Sequence, residues 1–420
     1  MFALVDCNNF FVSAERVFRP DLRNKPVCVL SNNDGCVVSL SNEAKALGIK
    51  RGDPLFRIRE LTQRHDVAIF SSNYTLYAGM SSRVMSILAA AVSEIEIYSI
   101  DEAFLHLDGL TPQQAHTQML ALSKQVARWT GIPISIGIAS TKTLAKVAAR
   151  YAKKYAGYHG VCLIDNETKR TKALKGLAVG DVWGVGRRTV KKFETMGIVT
   201  AYDLANLTEA KIRQQFTVTM LHTWQELNGV ACIEGNESPD KQSICVSRSF
   251  GSAVKTLDEL KETVAAFTAS ATQKLRKQHS LANMLTVFIA TGRFNRDEER
   301  YAGCESCHLP IATADSVELI HYAERLLSHI YQQGFLYKKS GVILSGIVDD
   351  TSVQQDIFDE IGDRQKRSKL YQVIDQINLR DGNNTVQYAI QHSAQSRWKS
   401  KTDFVSPNYL SDINGLLEVH

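Results

Sequence analysis

No apolar run of about 18 residues occurs anywhere in the chain, so a membrane-spanning helix is not expected. The opening MFALVDCNNF lacks a basic start and sets an acid, Asp6, where a secretory leader would be apolar. A cytoplasmic location is the expectation, with the eight cysteines as free thiols rather than a disulfide framework. Internal repeats and low-complexity tracts are missing too. Charge of one sign is in only slight excess: the net charge is +5 and the isoelectric point about 8.6. That balance allows a nucleic-acid partner without establishing one, because distribution matters more than the sum. What remains is ordinary globular composition, 44% hydrophobic and 22% charged over 420 residues. A chain of this length is too long for one core, so about two to four domains are expected.

Residues 2–5 form a short apolar run ending at Asp6, which reads as a buried strand with an acid at its exit. Residues 27–30 are a second strand candidate, followed by the turn-like Asn32-Asn33-Asp34-Gly35. Residues 42–47 read as a helix stopped by Gly48, and residues 77–93 carry apolar side chains at helical spacing. The runs 95–100 and 104–107 flank Asp101-Glu102 and read as adjacent strands with the acids at or beside their joining turn. A strand over 134–138 and a helix over 144–155 complete the order of a ferredoxin-like α+β layer. After Asp165 come short helical pieces punctuated by glycines, up to about Gly235. Strands at 244–250, 284–290 and 342–347, with helices at 257–278 and 317–333, then predict a second α+β domain. Beyond Asp350 polar residues dominate, and a tail with only local order is expected.

Single acids beside strands are commonly bland surface residues. Asp6, Asp101 and Glu102, however, each abut strongly apolar sequence, which places them at the rim of a core. Carboxylates converging there would repel one another unless a cation is present. Hard oxygen donors suit Mg²⁺, and two such ions can activate an attacking oxygen and stabilise a leaving one in phosphoryl transfer. The spacing alone is shared with nucleotide cyclases and other palm-like folds.

The stretches VDCNNFFVSAE and YSIDEAFLHL resemble the two catalytic motifs of Y-family translesion DNA polymerases. The wording of VFRPDLRNKPVCVLSNNDGCV, NEAKALGIKRGDP, SSNYTLYAGMSSRVM and VWGVGRRT resembles the UmuC branch of that family. The resemblance is dense from Met1 to about Ile244, looser to Asp350, and resumes in the tail. It implies an α+β multidomain right hand. The expected parts are a palm (1–25 and 78–167), small fingers (26–77), a helix-hairpin-helix thumb (168–240), a little finger (241–350) and a tail (351–420). It implies two Mg²⁺ ions on Asp6, Asp101 and Glu102, with the backbone carbonyl of Cys7 assisting. Phe11 matches the steric gate, an aromatic ring on which a ribose 2′-OH would clash. Phe10 and Phe11 are both expected at the nucleotide site, although neighbours on a strand face opposite ways and one of the pair could be core packing.

Lys142, Lys146, Arg150 and Lys153 fall within an arc of about 80° on one helix face, and no acid interrupts the stretch. Charge stripes are usually solvated faces of mixed sign, which this one is not. By the resemblance, Lys153 reaches the incoming triphosphate, Lys142, Lys146 and Arg150 lie near it as DNA-binding residues, and Asn42 with Lys45 contacts it from the fingers. Some relatives carry Tyr and Arg at those two finger positions, and a Lys lacks the bidentate fork of Arg. Trp183-Gly184-Val185-Gly186-Arg187-Arg188 reads as a hairpin turn whose glycines, Gly184 and Gly186, let the backbone approach a DNA phosphate. Arg187, Arg188, Lys191 and Lys192 add attraction that reads no bases.

Cys304-Glu305-Ser306-Cys307-His308 fits a c-type haem pattern and half of a zinc site. The missing export signal speaks against haem, and no second pair stands at zinc spacing; His279 and His321 are only loose candidates. The stretch reads as a loop between strands. Gln354-Gln355-Asp356-Ile357-Phe358 resembles the pentapeptide by which bacterial polymerases dock on the sliding clamp, Gln354, Ile357 and Phe358 being the contact residues. A second tethered contact of that kind raises avidity by roughly 10² to 10⁴. Residues 369–420 resemble the UmuC-type extension, which in the family is linked to partner subunits. The resemblance therefore implies primer-template DNA, dNTPs, the clamp, a UmuD′ dimer and a RecA filament as partners, and no membrane. The expected activity is error-prone translesion synthesis in the SOS response, without proofreading, since no second acidic constellation is present. The alternative is a non-catalytic DNA- and clamp-bound adaptor that keeps the polymerase fold.

Overall fold

The computed structural model describes residues 1–235, 240–292, 299–351, 363–382, 384–391 and 398–410. The chain divides into two compact units, Met1–Glu237 with Asp403–His420, and Ser238–Thr402. Among the described residues no helix is long and apolar enough to cross a membrane.

The first unit contains strands β1 (Phe2–Cys7), β2 (Val27–Leu30), β3 (Val37–Leu40), β4 (Ala68–Ser71), β5 (Ile95–Ile97), β6 (Glu102–His106), β7 (Ile134–Ala139) and β8 (Val161–Ile164). Five of them form a sheet in the order β5-β6-β1-β7-β8, with β1 antiparallel to both neighbours. Alternation along β1 and β6 sends their side chains to two cores. Ala3, Val5, Ala103 and Leu105 pack with the helices Tyr74–Ala91 and Pro112–Thr130. Leu4 and Phe104 pack on the other side, with Leu144, Val147 and Ala148 of the helix Lys142–Lys154. Asp6 and Glu102 therefore share the face of the cationic helix. Asp6 lies inside β1, one residue short of its end, rather than at the strand's exit.

The helix Lys142–Lys154 comes very close to the sheet because β7 carries Gly137. A Cβ there would meet the Ala149 backbone nitrogen at 2.0 Å and the Ala145 carbonyl at 2.1 Å. A side chain of any size would lift the helix and the cations it carries.

Strands β2, β3 and β4 make a separate three-stranded sheet with its own small core around Cys28, Leu30, Val37 and Ile49. Short helices between Glu167–Lys175 and Val218–Leu227 close over the cationic helix; Leu174, Val182 and Phe193 join its core.

The second unit is a four-stranded antiparallel sheet of β9 (Ser243–Val254), β10 (Ser280–Thr291), β11 (Ala302–Thr313) and β12 (Tyr337–Asp349), in the order β11-β10-β12-β9. Helices Leu257–Lys277 and Ser316–Ile330 supply the apolar side chains that cover it. Two sequence expectations change here. The CxxCH stretch is part of β11, not a loop, and Cys304 and Cys307, three residues apart, point to opposite faces. They cannot share a metal ion.

Among the described residues beyond Asp350 stands a helix, Arg364–Arg380, that the polar composition did not predict. The helix Arg364–Arg380 is held to the rest of the second unit by Arg276–Asp375 contacts at 2.7 and 2.9 Å and by Tyr371 donating to Asp315 at 2.7 Å, with Arg367 on the same carboxylate. These anchors are ion pairs and a hydroxyl hydrogen bond, which leave no trace in a hydrophobic pattern.

Candidate active site

Register brings the acids together. Asp6 of β1 stands opposite Glu102 of β6, and the carbonyl of Asp101 accepts a hydrogen bond from the Cys7 N–H at 2.9 Å. Asp101 ends the tight turn between β5 and β6. Ser99 locks that turn: its hydroxyl donates to Asp101 Oδ1 at 2.7 Å and accepts from the N–H groups of Asp101 (3.3 Å) and Glu102 (3.1 Å). Ser99 was not singled out in the sequence, where a serine two residues before an acid is too common a pattern to signal anything. The Cys7 thiol is pushed far above its ordinary pKa, first by burial and then by Asp101 and Asp6. It stays protonated, so its sulfur offers no anionic ligand.

Two lysines of the facing helix neutralise two of the acids. Lys153 Nζ donates to Asp6 Oδ1 at 2.6 Å, and Lys146 Nζ to Glu102 Oε2 at 2.8 Å. Lys146 is also held over the rings of Tyr98 (4.5 Å) and Trp183 (5.1 Å). Among the described residues no three His, Cys, Asp or Glu side chains are closed up around a metal position. The ammonium groups hold the carboxylate oxygens that a divalent cation would take. The donors fit such a cation: they are hard oxygens, and Asp6 and Glu102 line a cleft of about 350 Å³ together with Lys146, Arg150, Lys153, Asp181 and Trp183.

Phe10 and Phe11 open the helix Phe10–Phe18 instead of continuing a strand. The chain turns at Asn9, which sits in the left-handed region with φ 47° and accommodates it as Asn can. Successive helical residues point about 100° apart, so the two rings still diverge. Phe10 is buried, whereas Phe11 is half-buried and stacks on Tyr77 at 4.3 Å, with Tyr74 edge-on at 6.2 Å.

Asn9 does more than turn the chain. Its Oδ1 accepts from Lys45 Nζ at 2.8 Å, its Nδ2 donates to Asn42 Oδ1 at 3.4 Å, and Lys45 reaches Asn42 as well at 3.2 Å. Burial, with Lys153 and Arg51 adding repulsion, draws Lys45 below the ordinary lysine pKa. Ammonium groups that repel each other around one spot are poised for an anion. Asn9 was not singled out in the sequence, where an asparagine beside an apolar segment gives no sign of a partner 33 or 36 residues away.

The remaining expected residues separate. Lys142 is a correction: its side chain is 1% exposed, pairs with Glu96, and lies 5.5 Å from the ring centre of Phe104 and 5.8 Å from that of Phe2. It cannot offer its charge to DNA. Arg150 pairs with Asp181 at 2.6 Å. Gly184 has φ +85°, a conformation that favours glycine, and Gly186 caps the helix Arg187–Thr195 without any side-chain cap. Arg187, Arg188 and Lys191 are exposed there, while Lys192 donates to the Gln215 carbonyl. Gln354, Ile357 and Phe358 lie outside the described residues.

Residues 5–150 match the model of the impB/mucB/samB family, and residues 241–357 match that family's C-terminal domain. Protein UmuC of Salmonella typhimurium is 41% identical over 422 residues, covering 100% of both chains. The chain belongs to the impB/mucB/samB family. A more distant relative, DNA polymerase IV of Lactococcus lactis, is 26% identical and covers 81% of this chain and 93% of its own. Residues 368–419 match a domain of unknown function. Among solved structures, a Y-family DNA polymerase chimera of Dbh and Dpo4 shares the fold, with a TM-score of 0.66 at 19% identity over 83% of this chain and all of the other. The α+β multidomain polymerase fold expected from the sequence is thereby met.

Proposed function

We infer that the chain is a template-directed DNA polymerase of the UmuC type that carries out translesion synthesis. Family membership and a Y-family fold support that reading at the level of the whole chain. The observation that carries the chemistry is the pair of carboxylates Asp6 and Glu102, held by Lys153 and Lys146 at a small cleft, with Asp101 next in the chain to Glu102 and Lys45 near Lys153.

In this reading Asp6, Asp101 and Glu102 would hold two Mg²⁺ ions, with the Cys7 carbonyl assisting. Bound there, the ions supply activation of the primer 3′-oxygen and charge neutralisation on the phosphates. Lys153 and Lys146 exchange their carboxylate partners for the triphosphate when nucleotide and metal enter. Lys45, positioned by Asn9 and Asn42, binds the triphosphate from the fingers. Phe11, fixed against Tyr77, lies beside the sugar and excludes a 2′-OH. Arg187 and Arg188, with the N–H groups after Gly186, hold a DNA phosphate without reading sequence. The sliding clamp, a UmuD′ dimer and a RecA filament are the proposed protein partners, and an SOS-linked, cytoplasmic role follows from the same reading.

Primer extension by the full chain beside an Asp101→Asn variant tests the mechanism. The amide oxygen introduced by that substitution still accepts from Ser99, so the fold persists, while loss of several kcal/mol of charge stabilisation lowers the rate roughly a thousandfold. Equal extension by both proteins would favour the adaptor reading instead. Extension across an abasic site tests translesion synthesis, and arrest there despite synthesis on intact template would count against it.

A further inference from the structure

The C-terminal residues 403–410 pack against the unit that carries the carboxylates. The Asp403 N–H donates to Asp34 Oδ2 at 2.8 Å, and Phe404 exchanges 3.0 Å hydrogen bonds with Ser71. Asn73 Nδ2 donates to the Ser406 carbonyl at 3.2 Å and to its hydroxyl oxygen at 3.0 Å. The ring of Tyr409 stacks on Phe18 at 4.6 Å, and a methyl of Leu410 sits where any side chain at Gly79 would come within 2.5 Å. Backbone pairing, a shared side-chain network and ring stacking together make this a fitted segment rather than a chance contact.

One contact leads inward. The Ser406 hydroxyl donates to Glu15 Oε1 at 3.1 Å, and the Tyr77 hydroxyl donates to the same oxygen at 2.8 Å. Glu15 is fully buried, and its Oε2 has no hydrogen-bond partner among the described residues. Both donors thus converge on one oxygen of a carboxyl group with no other bond to hold it. The ring of Tyr77 is the surface on which Phe11 stacks, 4.3 Å away and 12° from parallel.

We propose that residues 403–410 are a positioning element of the nucleotide pocket, setting the ring of Phe11 through Ser406, Glu15 and Tyr77. The proposal rests on the reading of Phe11 as the sugar-facing ring. None of the three touches substrate; each acts on the next. If Ser406 lets go, Glu15 is held by Tyr77 alone, and the pair can shift as a unit. A shift of Tyr77 moves the only ring face-stacked on Phe11 among the described residues, and a gate that works by close contact loses discrimination with small displacement. This gives part of the domain of unknown function a role in sugar selection.

The test measures kcat/KM for a dNTP and its matching rNTP in the full chain and in Ser406→Ala, Tyr77→Phe and Phe11→Ala variants. Tyr77→Phe removes one hydrogen bond and Ser406→Ala two, to Glu15 and from Asn73, and both keep every ring; the deoxy-to-ribo ratio falls about fivefold in each. Their combination falls short of the product of the two effects, because both act through Glu15. A ratio within about twofold of wild type in both singles, while Phe11→Ala collapses it, would overturn the proposal. An unchanged ratio in Phe11→Ala would instead overturn the gate reading, whatever the other variants do. Should Ser406→Ala fail to fold, Tyr77→Phe carries the same test with the stack intact.

Discussion

Lys142 is where position on a helix face and actual role part company, and its replacement separates the two. Lys142→Ala takes one partner, the ammonium group, from the Glu96 carboxylate, 16% exposed, and removes the cation from beside the rings of Phe2 and Phe104. Breaking a buried pair from one side costs about 3–5 kcal/mol, against roughly zero for replacing both partners with groups of like volume. The residual exposure of Glu96 points to the lower half of that range. In a unit of this size each kcal/mol moves the midpoint roughly 2–4 °C, so the melting transition should fall by roughly 6–16 °C. Lys142→Met with Glu96→Gln should recover most of the loss. Melting of the full chain by circular dichroism reads the first effect. A salt titration of DNA binding reads the second, since one lost phosphate contact lowers the logarithmic salt slope by about 0.9. An unchanged melting temperature together with a reduced slope would refute the structural role and restore the DNA contact.

Glu226 ties the helix Val218–Leu227 to the start of the cationic helix. Its Oε2 accepts from the Thr143 N–H at 2.7 Å, its Oε1 accepts from the N–H groups of Cys232 and Ile233 at 3.2 Å each, and the side chain is fully buried. Glu226→Ala orphans these donors, so a loss of about 3 kcal/mol or more is expected in urea unfolding, and a loss under about 1 kcal/mol would contradict it. Glu15 predicts a pH effect. Burial, the largest influence, raises its pKa above the ordinary carboxylate value. The folded state then holds its proton over a range where the unfolded chain has released it, so this contribution is complete below the unfolded value and is lost as pH rises through the folded one. As pH rises above about 4.5 the wild type should lose stability relative to Glu15→Gln, and parallel curves would contradict the assignment.

How far the site was legible depended on whether a residue's role follows from period. The sequence reading set Asp6 at a strand exit and Glu102 beside a turn; alternation within β1 and β6, once their bounds are known, sets both on one face, and the register Asp6↔Glu102 puts them side by side. The helical arc of Lys142, Lys146, Arg150 and Lys153 was also correct as geometry. A helical wheel, however, gives direction around an axis and says nothing of position along it. Lys142 stands in the first turn, beneath β5 and β6, and is swallowed; Lys153, near the other end, emerges at the rim beside Asp6. Strands β3, β4 and β8, four residues each, were not read from the sequence, whereas β2, equally short, was. The long β11 was hidden by the cysteine motif that drew attention to it.

Residues 403–410 were illegible for a different reason. A segment held by an Asp34 carboxylate, a Ser71 hydroxyl and an Asn73 amide needs no apolar repeat, because each bond satisfies a backbone group that would otherwise need water. Such contacts are specific only in three dimensions: Asn73 and Ser406 are 333 residues apart. The same holds for Asn9 and Ser99, which work through single hydrogen bonds to neighbours that the sequence does not place beside them or does not mark out. Carboxylates and cations could be found by chemistry and spacing. The residues that set their angles could be found only once the chain had folded back on itself, and a polar stretch at the end of such a chain is a reasonable place to look for more of them.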